Sequence, residues 1–174
     1  MQVTIRPENE GDYKAVFEVN KKAFGQENEA NLVELLRKGK KAVPELSLVA
    51  IHKEKKVVGH ILFSEIQIVD YLGVEHDSLA LAPVAVIPEL QKKGIGGQLI
   101  QMGINYARIL GYKSIIVIGK GCNYPKFGFE KASNWNIRCP FDVPDEFFMA
   151  IELVPHGLTN VSGMVRFPKE FDGV

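Results

Sequence analysis

The chain has 174 residues, 46% of them hydrophobic and 24% charged, which suits one soluble globular domain that buries roughly 70% of its unfolded surface. Lys+Arg and Asp+Glu both number 21, so no net field draws the chain to nucleic acid or to an anionic membrane. No apolar run reaches the ~20 residues of a membrane helix, and the opening MQVTIRPENEGDYK holds no apolar signal-peptide core. Two cysteines outside CxxC spacing and four scattered histidines argue against a metal site or a disulfide framework, so a cytoplasmic protein without a metal is expected.

In chain order, residues 2–6 read as an opening strand that Pro7 stops. Asp12 is expected to cap a helix over residues 12–24 with Val16, Phe17, Val19 and Phe24 on its apolar face. A second helix over 27–38 turns Leu32, Val33, Leu35 and Leu36 inward and ends at Gly39. Two helices after a first strand can rim a substrate cleft, but most of their residues are expected simply to cover a sheet. Residues 46–51 and 56–63 are strands joined through the polar His52-Lys53-Glu54-Lys55, a hairpin whose second arm continues towards Ile68. The polar stretch 69–77 is expected to be a surface loop.

The stretch SLALAPVAVIPELQKKGIGGQLIQMGINYARILG, residues 78–111, organises the rest. Residues 79–87 form an apolar run of strand length. A helix follows, with Leu99, Met102, Gly103, Tyr106, Ala107 and Leu110 on one face and Gln98, Gln101, Asn105 and Arg108 on the other, and Gly111 as its C-terminal cap. Between them lies Gln91-Lys92-Lys93-Gly94-Ile95-Gly96-Gly97. Its glycines let backbone approach a ligand, and the N–H groups and positive dipole end of the following helix make a seat for a phosphate. Leu99 stands where a dinucleotide fingerprint wants its third small residue, and no Walker Gly-Lys-Ser/Thr string occurs.

Antiparallel strands followed by strand–loop–helix–strand, ending at residues 113–118, require a crossover and hence a mixed sheet. Pro83 cannot donate a ladder hydrogen bond and belongs at an edge or bulge. A bulge there would splay this strand from 113–118 and free the backbone of Val84, Ala85 and Val86.

The pattern Gln91-x-x-Gly94-x-Gly96, preceded by Val86-x-Pro88, resembles the acetyl-CoA pyrophosphate loop of the GNAT superfamily of N-acetyltransferases. Tyr124, followed after three residues by Gly128-Phe129, is similar to the Tyr-x-x-x-Gly-Phe segment that closes the family's cofactor site. The phrases GHILFS (59–64), LAPVAV (81–86) and FMAIEL (148–153) resemble one branch of small bacterial GNAT proteins, and the likeness runs over residues 5–171. It implies an α+β fold: a GNAT-like mixed, mostly antiparallel central sheet flanked by helices, with a splayed parallel strand pair forming the cofactor cleft, in a single domain over residues 1–174. It implies acetyl-CoA as cosubstrate, its pantetheine amides on Val84, Ala85 and Val86 and its pyrophosphate on Gln91, Lys92, Lys93, Gly94, Ile95, Gly96 and Gly97. The other partner is an amine that the sequence does not identify, met by a monomer or homodimer.

Acetyl transfer needs a positioned thioester, a neutral amine and a proton for the departing thiolate. A backbone N–H near Val86 is placed to stabilise an oxyanion, and Tyr124 is the candidate acid, because a phenol with pKa about 10 stays protonated at neutral pH. The general base is not legible. Ile118 stands where many family members carry a glutamate, and Val117 stands in the region of a frequent asparagine. Glu65, His76 and Asp77 are relay candidates through water, though each reads more naturally as a solvated loop charge. His60 reads as a structural histidine, Cys122 as a small wall residue. Three functions stay open: an N-acetyltransferase, a GNAT-like module that binds acetyl-CoA without transfer, and a nucleotide-binding α/β protein.

Overall fold

The computed structural model describes residues 1–120 and 122–172. Its strands are β1 (Thr4–Pro7), β2 (Ala42–His52), β3 (Lys56–Val69), β4 (Glu75–Val86), β5 (Ser114–Ile118), β6 (Glu130–Lys131), β7 (Ile137–Arg138), β8 (Phe148–Glu152) and β9 (Gly163–Arg166), with helices α1 (Tyr13–Phe24), α2 (Asn28–Lys38) and α3 (Ile95–Ile109). The sheet is mixed and mostly antiparallel; β4–β5 and the short β7–β9 are its parallel pairs, and helices flank it. The chain divides into two compact units, residues 1–64, 82–106 and 169–174 in the first, 65–81 and 107–168 in the second.

In the first unit β1 runs antiparallel to β2, from Thr4↔Ile51 to Pro7↔Leu48. The expected hairpin is present: β2 pairs with β3 from Ser47↔Leu62 to Ala50↔Gly59, and then shifts by one residue to Ile51↔Val57. That shift leaves Val58 as a bulge, and its carbonyl accepts the N–H of Ile87, just beyond β4 (3.0 Å). On one face Val16 of α1 and Leu32, Val33 and Leu36 of α2 pack with Val49 and Leu62. Each such buried side chain contributes roughly 1.5–3 kcal/mol.

Two residues expected inside are not. Leu35 is half exposed because it stands one position off the 32/33/36 stripe, and Phe24 is exposed at the last turn of α1, which Gly25 ends in the left-handed region. The place inward belongs to Asn20. Nor does Asp12 cap α1 with its side chain: its carboxylate accepts the Asn9 N–H (2.9 Å) and pairs with Arg6 at 2.6 and 3.0 Å, closing the turn that leads into the helix. The guanidinium therefore holds this carboxyl below its ordinary range.

Within the first unit α3 takes the opposite face of β3, because consecutive strand residues alternate: His60 meets Asn20 of α1, while Gly59 approaches Leu99. The buried residues of α3 are Ile95, Leu99, Ile100, Gly103, Ile104 and Ala107, a stripe turned partly from the expected face: Leu99, Gly103 and Ala107 are inside as expected, Met102 and Tyr106 are only half-buried, and Leu110 is exposed. Gly103 sets that rotation. A Cβ there would run into the Phe63 ring, so the helix settles on β3 with this mid-helix glycine over the aromatic.

In the second unit β4 and β5 pair at Leu79↔Ile115 and Ala80↔Ile116, and β5 runs antiparallel to β8 from Ser114↔Glu152 to Ile118↔Phe148. The C-terminal half of β3 pairs with β9, and β6 pairs with β8. The end of α3 closes as expected at Gly111 (φ +94), whose N–H bonds Arg108 O while Tyr112 N–H reaches Ala107 O, both at 3.1 Å. The loop expected over 69–77 is shorter. The Asp70 carboxylate accepts the N–H groups of Leu72 and Val74, each at 2.9 Å, and this tight turn lets β4 begin at Glu75.

Candidate active site

The pyrophosphate-loop residues and the three strand residues expected to hold acetyl-CoA all belong to the first unit. β4 ends at Val86, a single 3-10 turn spans Pro88–Leu90, and the loop then runs directly into α3. Pro83, expected at an edge or bulge, is buried, follows a cis peptide bond, and lies three residues beyond the ladder pair Ala80↔Ile116. Val84 and Val86 are half-buried and Ala85 is buried.

The loop is open where an anion seat must be open. Gly94 has φ +87, and a Cβ on it would meet nothing within 4 Å; a Cβ on Gly96 would first meet Val86 Cγ2, at 3.9 Å. The first i→i−4 bond of α3 runs from Gln98 N–H to Gly94 O (3.1 Å). The N–H groups of Ile95, Gly96 and Gly97 therefore precede the ladder and stand at the positive end of the helix dipole. Ile95 contributes through its backbone, since its side chain is anchored in the core. Lys92 and Lys93 are exposed beside the turn. The Gln91 side chain donates to Val86 O (2.9 Å), so this residue ties the loop to the strand end. Open glycines, main-chain donors and adjacent cations fit a diphosphate.

Tyr124 belongs to the second unit, at the start of a 3-10 turn over Tyr124–Phe127. It is 3% exposed, and its ring meets Phe129 edge-on at 5.4 Å. Gly119 makes room for it: a Cβ there would lie 2.8 Å from Tyr124 Cδ2. Burial first, and the Cys122 thiol beside it second, raise the phenol well above its ordinary pKa of 10. The hydroxyl is thus protonated at every pH at which the protein would work. Cys122 itself is exposed.

The relay candidates are engaged locally. Glu65 accepts the Tyr112 hydroxyl (2.8 Å), Asp77 accepts from Gln67 (3.3 Å), and His76 faces Asp70 (3.4 Å). Ile118 is 39% exposed at the end of β5 and Val117 is buried. Among the described residues no cluster of metal-ligating side chains occurs.

The sequence hid one assembly. His60 is fully buried in the first unit, with Nδ1 3.2 Å from Asn20 Nδ2 and Nε2 3.0 Å from Ser47 Oγ. Asn20 Nδ2 also donates to Val16 O (3.0 Å), which orients the amide and makes His60 Nδ1 an acceptor. His60 is then the neutral Nε2–H tautomer, donating to Ser47, whose hydroxyl donates to Glu8 (2.6 Å). Arg37, stacked 3.7 Å over the Tyr13 ring, closes the chain of bonds on Glu8 at 3.0–3.2 Å. Burial, with the Arg37 charge second, pushes the imidazole down to about 3.

A family model described as the acetyltransferase (GNAT) family matches residues 13–129. The chain is 39% identical over 146 residues to the uncharacterized N-acetyltransferase YjhQ of Escherichia coli strain K12, an alignment covering 82% of this chain and 78% of that one. Among solved structures it is similar to the GNAT family N-acetyltransferase YhbS from Escherichia coli in complex with CoA, with TM-score 0.89, 27% identity and coverage of 99% and 93%. A GNAT family acetyltransferase from Brucella melitensis in complex with acetyl-CoA matches with TM-score 0.79, 29% identity and coverage of 98% and 99%.

Proposed function

The chain belongs to the GNAT acetyltransferase family, and from that premise we propose that it is an acetyl-CoA-dependent N-acetyltransferase that moves an acetyl group directly to a primary amine of a small molecule or protein. The observation that carries the proposal is the open loop at Gly94 and Gly96, with the leading N–H groups of α3 behind it. Relatives crystallised with CoA and with acetyl-CoA support the same ligand here.

Gln91 to Gly97 would hold the diphosphate through main-chain N–H groups, with Lys92 and Lys93 adding positive charge, and the backbone of Val84, Ala85 and Val86 would hold the extended arm. The cosubstrate supplies an acetyl group activated as a thioester. A backbone N–H near Val86 would face the negative charge that develops on the acyl oxygen. Tyr124 keeps a proton on Oη and, following the family segment it resembles, is assigned the role of acid for the sulfur. The 1–174 chain is proposed to act as one such domain, as monomer or homodimer, without a metal.

A non-catalytic acetyl-CoA-binding module is the second reading, and Ile118 in place of a carboxylate favours it. Calorimetric titration with acetyl-CoA, CoA and ATP tests the cofactor: the first two are expected to bind and ATP is not. Thiol release with a panel of amines then separates the readings. Release with at least one amine supports the enzyme; CoA binding with no release across the panel leaves only the binding module.

A further inference from the structure

One residue of β3 touches both halves of the proposed cofactor seat. Gly59 lies beneath the end of β4 and beneath the second turn of α3: a methyl on its Cα would stand 3.3 Å from Ala85 O and 3.1 Å from Leu99 Cδ1, with Ala50 Cβ at 3.3 Å on a third side. Those separations are tighter than ordinary carbon contacts, so any side chain at 59 would displace its neighbours by a few tenths of an ångström. The neighbours on either side hold the strand still. Val58 is the bulge whose carbonyl takes the Ile87 N–H (3.0 Å), and His60 is pinned from the other face by Asn20 and Ser47. β3 is braced at both neighbours of Gly59, so the displacement is shared among Ala50, Ala85 and Leu99, of which Ala85 lies in the strand half of the seat and Leu99 in the helix behind the loop.

We propose that Gly59 is a positioning residue for the cosubstrate: its missing side chain sets the height of the Ala85 backbone and of the α3 N-terminus above β3, and so the fit of the strand and the loop to one CoA molecule. The inference rests on the acetyl-CoA reading above and adds a residue that touches no ligand. Because it lies under both halves of the seat, its effect falls on CoA affinity rather than on the acceptor.

The test is Gly59→Ala, read by calorimetric titration with CoA, by urea unfolding, and by amide and methyl NMR shifts of the free protein. A displacement of a few tenths of an ångström is expected to weaken CoA binding about fivefold or more, roughly the factor that one misaligned hydrogen bond in the seat is worth. In the free protein the shift changes are expected to centre on Ala85, Ile87 and Leu99. Val33→Ala, in the α1–α2 face of the same unit, serves as the stability control and is expected to lower stability without changing CoA affinity. Gly59→Ala/Leu99→Val removes the nearest contact and is expected to recover part of the affinity; should Gly59→Ala fail to fold, the comparison passes to this double variant, which keeps the Ala85 contact and is expected to bind CoA more weakly than Leu99→Val alone. A folded Gly59→Ala that binds CoA within twofold of wild type, or Val33→Ala losing as much affinity for the same loss of stability, overturns the proposal. Wild-type protein that fails to bind CoA would instead remove the cofactor assignment on which it rests, and the NMR shifts of the free protein would still report whether Gly59 sets the position of Ala85.

Discussion

The His60 assembly makes a quantitative prediction about stability against pH. An imidazole with pKa about 3 in the folded chain and about 6.5 in the unfolded chain binds its proton in the unfolded state first. Its contribution is therefore complete above pH 6.5 and is lost progressively as the pH falls from 6.5 towards 3. At about pH 4.5 the folded group is still neutral while the unfolded one is almost fully protonated, and the linkage integral from pH 7 amounts to about 2.5 kcal/mol. The perturbation is His60→Gln, whose amide keeps a donor for Ser47 but has no proton to gain in this range. Urea unfolding followed by circular dichroism at pH 7, 6, 5 and 4.5 gives both stability curves. The variant is expected to be less stable at pH 7 by about 1–3 kcal/mol, for the packing and the Asn20 contact it loses. The gap should then narrow by about 2.5 kcal/mol on going to pH 4.5. Titrations of carboxylates outside the assembly cancel in the difference, including that of Asp12, which is held low by Arg6. Curves that stay parallel would refute the neutral, buried imidazole; a gap that widens on acidification would refute its sign.

Two further substitutions test the remaining contacts. Tyr124→Phe is expected to lower turnover by about 10²-fold or more while leaving CoA affinity nearly intact by calorimetry, and unchanged turnover would remove the acid assignment. Because burial and then Cys122 raise this phenol, it stays protonated through pH 10, so any fall in wild-type rate below that pH must come from another group. Gly103→Ala places a methyl in the Phe63 ring; overpacking of about 1–3 kcal/mol outweighs the ~1 kcal/mol helix gain, and Phe63→Leu in the same background should recover stability in urea unfolding.

What the sequence made legible is what depends on near neighbours. The β2–β3 hairpin shows in two apolar runs around a polar tetrapeptide, and the strand–loop–helix of the loop shows because Gly94, Gly96 and the helix period lie within twenty residues. The end of α3 at Gly111 shows for the same reason. The buried polar assembly could not be seen, since its bonds join residues 40, 13, 39 and 29 positions apart, and nothing in the spacing of Asn20, Ser47, Glu8 and Arg37 sets them apart from surface residues. The rotation of α3 is likewise set by a partner in another strand: a periodic apolar helix can turn either Met102 or Ile104 inward, and only the Phe63 ring over Gly103 decides. The bulge at Val58 is invisible because β-branched Val57 and Val58 suit either register.

The acceptor is constrained most by the residue that is not a carboxylate. On the proposed N-acetyltransferase reading, Ile118 stands at the end of β5 and Glu65, Asp77 and His76 are each bound to a local partner, so the amine is expected to shed its own proton before it attacks. At pH 7 that step costs about 4–5 kcal/mol for a lysine-type amine and about 1 kcal/mol for an α-amino group. The difference is worth roughly two to three powers of ten in rate at equal binding. In the same amine panel α-amino groups and other weakly basic amines are therefore expected to react fastest at pH 7, with lysine-type amines gaining about tenfold per pH unit up to their own pKa. A lysine-type amine that matches an α-amino group at pH 7, with a flat pH profile, would require a base within the protein. It would then be sought by replacing Glu65 and Asp77 in turn.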